Sequence, residues 1–191
     1  MNEKVLQKSA IDFLIEVEKY QTPYAKSVVD PEEIVISLIR KYSLKAGLLS
    51  FTANILPSPI SELAIIPEVY GLLRLQSRMI KDIAALYGKE KSLAKNIIFY
   101  CLFNREKTNL WERSLKMVGT RVLIRGGSKH YLYDFLEEWE TGLSQKIASL
   151  KIKKIMPLVG SAAGGTIAYL DTRAVGLTAS RIFSREIQFE Q

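Results

Sequence analysis

Apolar side chains recur along most of this chain at three- and four-residue spacing, the period of one face of an α-helix, and no sustained two-residue alternation argues for a half-buried sheet. Leu6, Ala10, Phe13, Leu14 and Val17 mark one face of a first helix that ends near Gln21-Thr22-Pro23. Asp30-Pro31-Glu32-Glu33 reads as the next start: a carboxylate to accept an orphan N–H, a proline where its missing N–H costs nothing, and acids in the first turn. That helix is predicted to run to about Asn54. Pro57-Ser58-Pro59 breaks it and Ser58 caps a third helix, so the two form a tight hairpin. The third helix is predicted to end at Tyr87, with Gly88 suited to the left-handed position beyond, and Pro67 to kink it or mark a second start.

A fourth helix is predicted over 90–103. A fifth carries Trp111, Leu115, Val118 and Val122 and closes at Gly126-Gly127-Ser128; a sixth carries Leu132, Leu136, Trp139, Leu143, Ile147 and Leu150. The last is predicted from about Pro157 to Phe183. Together these elements give an all-α fold, a compact bundle of about six to seven helices with a central apolar hairpin around Pro57 and Pro59 and a glycine-rich C-terminal helix. The length suits one domain over 1–191, with an N-terminal helix and connection over 1–30, a core over 31–184 and a polar tail over 185–191.

Within the last helix Gly160, Gly164, Ala168, Thr172, Gly176 and Ser180 are small and recur every four residues, forming one ridge that lets a neighbour approach closely. Gly164 is the expected point of closest approach. Such a row serves internal packing, self-association or a lipid face. Residues 155–170 are sixteen uncharged positions, short of the roughly 20 that a spanning helix needs. The apolar stretch from Ala46 to Leu73 is interrupted by Glu62, Glu68 and three prolines, so a buried hairpin accounts for it better.

Composition adds little to this picture: 48% hydrophobic and 25% charged residues are ordinary globular usage. Charge adds more. The net charge of +7 arises in residues 61–130, which hold thirteen basic side chains against six acidic ones. Lys89, Lys91, Lys95, Arg105, Lys107, Arg121, Arg125 and Lys129 suit anionic headgroups or an acidic partner. Lys151, Lys153 and Lys154, just before the last apolar helix, suit a membrane interface. No exposed aromatic platform interleaves with these cations and no reader motif is present, so nucleic acid is not an expected partner.

Candidate chemistry is sparse. His130 and Cys101 are single, which leaves zinc ligand sets and Ser-His-Asp or Cys-His catalysis without material. Cys101, inside Ile97-Ile98-Phe99-Tyr100-Cys101-Leu102-Phe103, reads as a core residue, and its isolation excludes an intrachain disulfide framework. Glu137, Glu138 and Glu140 point away from their helix stripe and read as a solvated face. Gly160-Ser161-Ala162-Ala163-Gly164-Gly165-Thr166 spaces its glycines like a phosphate loop but lacks the lysine and the preceding strand. The start Met1-Asn2-Glu3-Lys4, soon followed by Asp12, Glu16 and Glu18, is unlike a secretory leader, so a reducing cytoplasm is expected. Neither an enzyme nor a cofactor is expected. A cleft assembled from Glu62, Arg78, Tyr87 and Asp171 is the remaining catalytic alternative.

Leu56-Pro57-Ser58-Pro59-Ile60-Ser61-Glu62, followed by Leu75-Gln76-Ser77-Arg78-Met79-Ile80-Lys81-Asp82-Ile83-Ala84-Ala85-Leu86-Tyr87-Gly88, resembles the EcsC-like and YcjF-like helical domains of bacteria. Ile155-Met156-Pro157-Leu158-Val159-Gly160, with Thr172 and Gly176 downstream, looks like that family's second signature. The resemblance covers residues 40–104 and 150–184. It marks Pro57, Pro59, Glu62, Gln76, Arg78, Tyr87 and Gly88 as motif positions, with Glu62 standing where aspartate is commoner. It implies a domain found alone or attached to Era-like GTPases, often membrane-associated and without established catalysis, so that any link to GTP runs through a separate partner.

The expected function is a non-enzymatic helical module at the inner face of the cytoplasmic membrane, meeting an anionic surface or lipid, or serving as a protein adaptor. The alternative is a soluble carrier or sensor holding a lipid-like ligand between helices where small residues line one of them.

Overall fold

The computed structural model describes residues 12–27, 29–55, 60–93, 95–103, 115–118, 121–125, 141–142, 144–145 and 157–190. Its framework is helical: α1 (12–19), α2 (Glu32–Ile55), α3 (Ile60–Leu86), a single 3-10 turn (Glu90–Ser92), α4 (Lys95–Phe103) and α5 (Pro157–Phe183). Three local signals set the ends of these helices. The Glu32 N–H donates to Asp30 Oδ1 at 3.1 Å, and the Val35 N–H reaches the Pro31 carbonyl at 2.8 Å, so Asp30 caps α2 with Pro31 in its first turn. Gly88 has φ +68°, while the Lys89 N–H returns to the Ala84 carbonyl at 2.7 Å and the Gly88 N–H to that of Ala85 at 2.8 Å. That pair of bonds is the Schellman closure, which needs a residue at ease with positive φ. Pro157 opens α5 and Phe183 closes it, as the pattern predicts.

The hairpin connection at 56–59, with Pro57 and Pro59, lies outside the described residues, but α2 and α3 end and begin on either side of it. Pro67 neither breaks α3 nor starts a new helix; it lies exposed within one helix of 27 residues. The predicted fourth helix is shorter than 90–103, because its first residues form the separate 3-10 turn.

The fifth predicted helix is not formed. Leu115–Val118 (β1) and Arg121–Arg125 (β2) pair antiparallel, Leu115 opposite Ile124 and Val118 opposite Arg121. Val118, Val122 and Ile124 are β-branched and flank Gly119-Thr120, a two-residue connection of the length that hairpins use, and this outweighs a stripe that had to pass through a glycine. The supposed polar tail is a strand too: Glu186–Glu190 (β3) runs parallel to β2, Arg121 opposite Glu186 and Arg125 opposite Glu190. Its Glu-Ile-Gln-Phe-Glu order is itself a short two-residue alternation. A small sheet ordered β1-β2-β3 thus supplements the helical framework. Of the predicted sixth helix, residues 141–142 and 144–145 are described and helical, and Gly142 is buried where a Cβ would run into the Phe103 ring.

The core sits between α2, α3 and α5, and continues under α1 and α4. Val35, Leu38 and Ile39 of α2 meet Leu73, Met79, Ile80 and Ile83 of α3 and Val175, Ala179 and Ile182 of α5. Phe13 of α1 packs edge-on against Tyr70 and tilted against Phe99, ring centres 6.2 and 6.3 Å apart. Cys101 lies fully inside this cluster, where burial pushes its thiol well above the ordinary range and keeps it from acting as a thiolate.

Candidate functional site

The small-residue ridge of α5 faces inward. Gly164, Ala168, Thr172 and Gly176 are buried, while Gly160 lies in the first turn. A close approach to α2 falls at Gly165, the neighbour of Gly164: a Cβ on Gly165 would stand 3.0 Å from the Gly47 carbonyl oxygen, and one on Gly47 would stand 3.1 Å from the Gly165 carbonyl oxygen. Nearer the other end, a Cβ on Gly176 would meet Ile39 of α2 at 2.7 Å and Met79 of α3 at 3.1 Å. Since 47 faces 165 while 39 faces 176, α2 and α5 run antiparallel, and the space beside their glycines is filled by backbone and side chains.

Two of the motif positions meet across helices. Gln76, fully buried on α3, donates through Nε2 to Asp171 Oδ2 at 2.5 Å and to Thr172 Oγ1 at 3.1 Å on α5. Tyr87 Oη and Ser180 Oγ lie 3.2 Å apart on the same pair of helices. Buried polar groups of this kind fix helix register, because a displaced amide would lose its partners in a place water does not reach. Arg78 serves α1 instead, donating to Glu16 at 3.2 Å and standing 5.2 Å over the Tyr20 ring. Glu62 is part of α3, and its side chain lies outside the described residues. Of the catalytic alternative, Arg78 thus contacts α1 residues, while Asp171 and Tyr87 take part in the contacts to α5.

A hub that the sequence did not single out lies at Asp82. Its carboxylate is buried and accepts from Tyr20 Oη at 3.0 Å and Tyr42 Oη at 2.7 Å. Burial first, then the hydrogen bond to Asp82, raises the Tyr42 phenol far above its ordinary pKa; Tyr20 is also raised, mainly by burial. Next to it, Lys81 Nζ donates to the Val17 carbonyl at 3.0 Å and the Tyr20 carbonyl at 2.5 Å, holding the C-terminal end of α1. Arg74 joins Arg78 on Glu16.

Of the cationic candidates, Lys91 and Lys95 are exposed and Lys89 half-buried. Lys95 pairs with Glu18 at 2.5 Å across the α1–α4 boundary. Arg121 and Arg125 occupy the two ends of β2. Lys151, Lys153 and Lys154 lie outside the described residues, as does His130. Among the described residues no cluster of His, Cys, Asp or Glu has a metal-binding arrangement.

Two surface features went unread in the sequence. The first is an exposed apolar face along the α2–α5 groove: Ile36, Leu44, Leu48 and Phe51 of α2, with Leu48 64% exposed, and Leu170 and Leu177 of α5. Leu44 and Phe51 lie three residues before and four after Gly47, which faces α5, and Leu170 follows Tyr169, whose Cβ is 3.5 Å from a Cβ on Gly47. Both ridges therefore flank the same groove. Arg40, Lys41 and Lys45 are the only charges of α2 beyond its first turn, and Arg173 is exposed on α5. The hydroxyls of exposed Thr52 and Thr166 turn back to carbonyls of their own helices, Leu48 and Ala162 respectively. The sequence signal was an excess: α2 has more apolar positions than one inward stripe can use.

The second feature is a cleft of about 280 Å³ between α1, α3 and α4, beneath the Lys95–Glu18 pair. No helix among the described residues is long and apolar enough to cross a membrane. Comparison of the chain with protein-family models, curated proteins and solved structures returns no match.

Proposed function

We propose that the protein is a non-catalytic helical module that docks peripherally on an anionic membrane surface, at the inner face of the cytoplasmic membrane, through the α2–α5 face. The observation that carries this reading is the row Ile36, Leu44, Leu48 and Phe51, exposed beside Leu170 and Leu177 and bordered by Arg40, Lys41, Lys45 and Arg173. Apolar side chains that enter the acyl boundary while cations remain among the headgroups are the two contributions an interfacial helix needs. The EcsC-like resemblance points the same way, with a separate Era-like GTPase as the protein partner it would imply.

Sedimentation with vesicles tests the reading. The protein is expected to bind mixed phosphatidylcholine–phosphatidylglycerol vesicles at low salt, to bind pure phosphatidylcholine weakly, and to lose affinity as salt screens the arginines and lysines. Leu48→Asp is expected to reduce binding by tenfold or more, since burying a leucine contributes about 1.5–3 kcal/mol. Absence of the wild-type protein from both vesicle pellets would overturn the membrane reading; a protein crosslinked to wild type but not to Leu48→Asp would then assign the face to an adaptor role.

A further inference from the structure

We infer, building on the membrane reading above, that the protein docks end-on: the end of the bundle next to the α2–α3 hairpin enters one leaflet of the bilayer, and the opposite end stays in water. Charge is divided along the helices as well as around them. α2 carries none over 46–55, and α5 none over 157–170. Gly47 faces Gly165, so these two uncharged lengths lie side by side. α3 has Glu62 and Glu68 before Arg74, and Glu68 is buried, accepting from Ser50 Oγ at 2.6 Å. This end exposes Leu48, Leu49, Phe51, Pro67, Ile167 and Leu170.

A belt of cations borders the uncharged end. Arg40, Lys41 and Lys45 stand on α2, and Arg173 of α5 comes level with Lys41, because Ile39 faces Gly176 while Gly47 faces Gly165. From the belt to the end of α2 is about 15 Å at 1.5 Å per residue, and the hydrocarbon of one leaflet is about half of a 30 Å core. The uncharged length therefore matches one leaflet and is too short to cross both. Lys154, the last charge before α5 in the sequence, is of the type whose long stem can hold an ammonium among headgroups. Hydroxyls at this end are satisfied without water. Thr52 donates to the Leu48 and Leu49 carbonyls, both at 3.0 Å, Thr166 to the Ala162 carbonyl at 2.9 Å, and Ser50 to Glu68.

Side-on docking meets an obstacle that the end-on arrangement avoids. Glu33 precedes Leu44 by about three turns and Phe51 by about five, so it stands exposed on the same stripe of α2. A membrane lying along the whole stripe would press Glu33 against anionic headgroups. Ile36 has Glu32, Glu33 and Arg40 one turn away, and Leu177 has Arg173 and Arg181. These two apolar residues stay on the water side of the belt.

Depth-dependent quenching tests the orientation. A nitrobenzoxadiazole label is attached in turn to Thr52→Cys, Ala162→Cys, Ile36→Cys and Leu177→Cys of the full chain, all at exposed positions, while buried Cys101 stays unlabelled. On phosphatidylcholine–phosphatidylglycerol vesicles the labels at 52 and 162 are expected to brighten several-fold and to be quenched by doxyl groups on the acyl chains. Those at 36 and 177 are expected to keep their solution intensity and their quenching by aqueous iodide. Ala162→Asp is expected to weaken vesicle binding about tenfold or more, and Leu177→Asp to leave it near the wild-type value. Bound protein whose four labels brighten and quench alike would overturn the end-on arrangement while leaving the membrane reading in place, as would equal losses of binding from the two aspartates. No binding of the wild-type chain to these vesicles overturns both.

Discussion

Replacing Gly165 with leucine is expected to lower the melting temperature by about 4–8 °C while leaving the low-temperature helical content unchanged. The obstacle at this position is a backbone atom. A Cβ would stand 3.0 Å from the Gly47 carbonyl oxygen and 3.3 Å from the Phe51 Cβ, and neither can rotate away as the end of a side chain can. The antiparallel α2 and α5 must separate along their most extensive contact, and overpacking of this kind costs about 1–3 kcal/mol, here at the upper end. Exchange of a helical glycine returns about 1 kcal/mol, so a net loss of about 2 kcal/mol remains. Gly71→Ala is the control. Its new methyl would meet a Leu49 side-chain carbon at 3.3 Å. That methyl group can give way, so a change near zero or a small gain is expected. Thermal unfolding followed by circular dichroism checks both; a Gly165→Leu protein as stable as wild type would mean that the two helices are not in tight contact at this point.

The same pair of glycines shows where the sequence was legible and where it stopped. The Asp30-Pro31 start, the Gly88 stop and the extent of α5 were readable because each is decided within a few residues: a cap, a left-handed turn, an uncharged run opened by proline. The inward row on α5 was readable as a ridge, but its partner was not. Gly47 lies more than a hundred residues away, and nothing local to Gly164 or Gly165 says which of two adjacent glycines meets it. Strands β1 and β2 were missed because four apolar residues at helical spacing were weighed above the β-branched residues on either side of Gly119-Thr120. The parallel pairing of β3 with β2 joins segments about sixty residues apart and has no local cause.

Chemical candidates fared likewise. Gln76 was marked by a motif resemblance and proves to be a registry amide on Asp171 and Thr172. Asp82 was passed over inside the same motif although it is the more deeply committed charge. A single aspartate on a helix looks the same whether solvent or two tyrosines from other segments surround it. The exposed apolar face of α2 was hidden for the opposite reason, since its leucines look like core until the inward stripe has been assigned.

Asp82→Ala is accordingly expected to destabilise the protein by about 2–4 kcal/mol and to free α1 before the rest unfolds. Each phenol–carboxylate bond contributes about 1.5–3 kcal/mol as a hydrogen bond to a charged group, and the relief of burying the charge itself offsets part of the sum. Tyr20 and the turn after it are anchored only partly by Lys81 once the carboxylate is gone, so proteolysis between α1 and α2 should accelerate more than global unfolding does. Asp82→Asn should fall between wild type and alanine, because its amide oxygen accepts from one phenol and its NH2 group donates to the oxygen of the other, but neither bond is charge-assisted. The hub also sets an alkaline limit. The folded pKa of Tyr42 is raised above its unfolded value, so the native state retains the phenol proton at pH values where the unfolded chain has lost it. Its contribution is therefore complete below about pH 10, the unfolded tyrosine value, and declines as pH rises through the range above it. Tyr42→Phe should be less stable than wild type at neutral pH and should show a flatter loss above pH 10. Urea midpoints measured at neutral and alkaline pH, with limited proteolysis alongside, test the assignment. An Asp82→Ala protein with the wild-type midpoint and wild-type cleavage rate would show that the two tyrosines do not depend on this carboxylate.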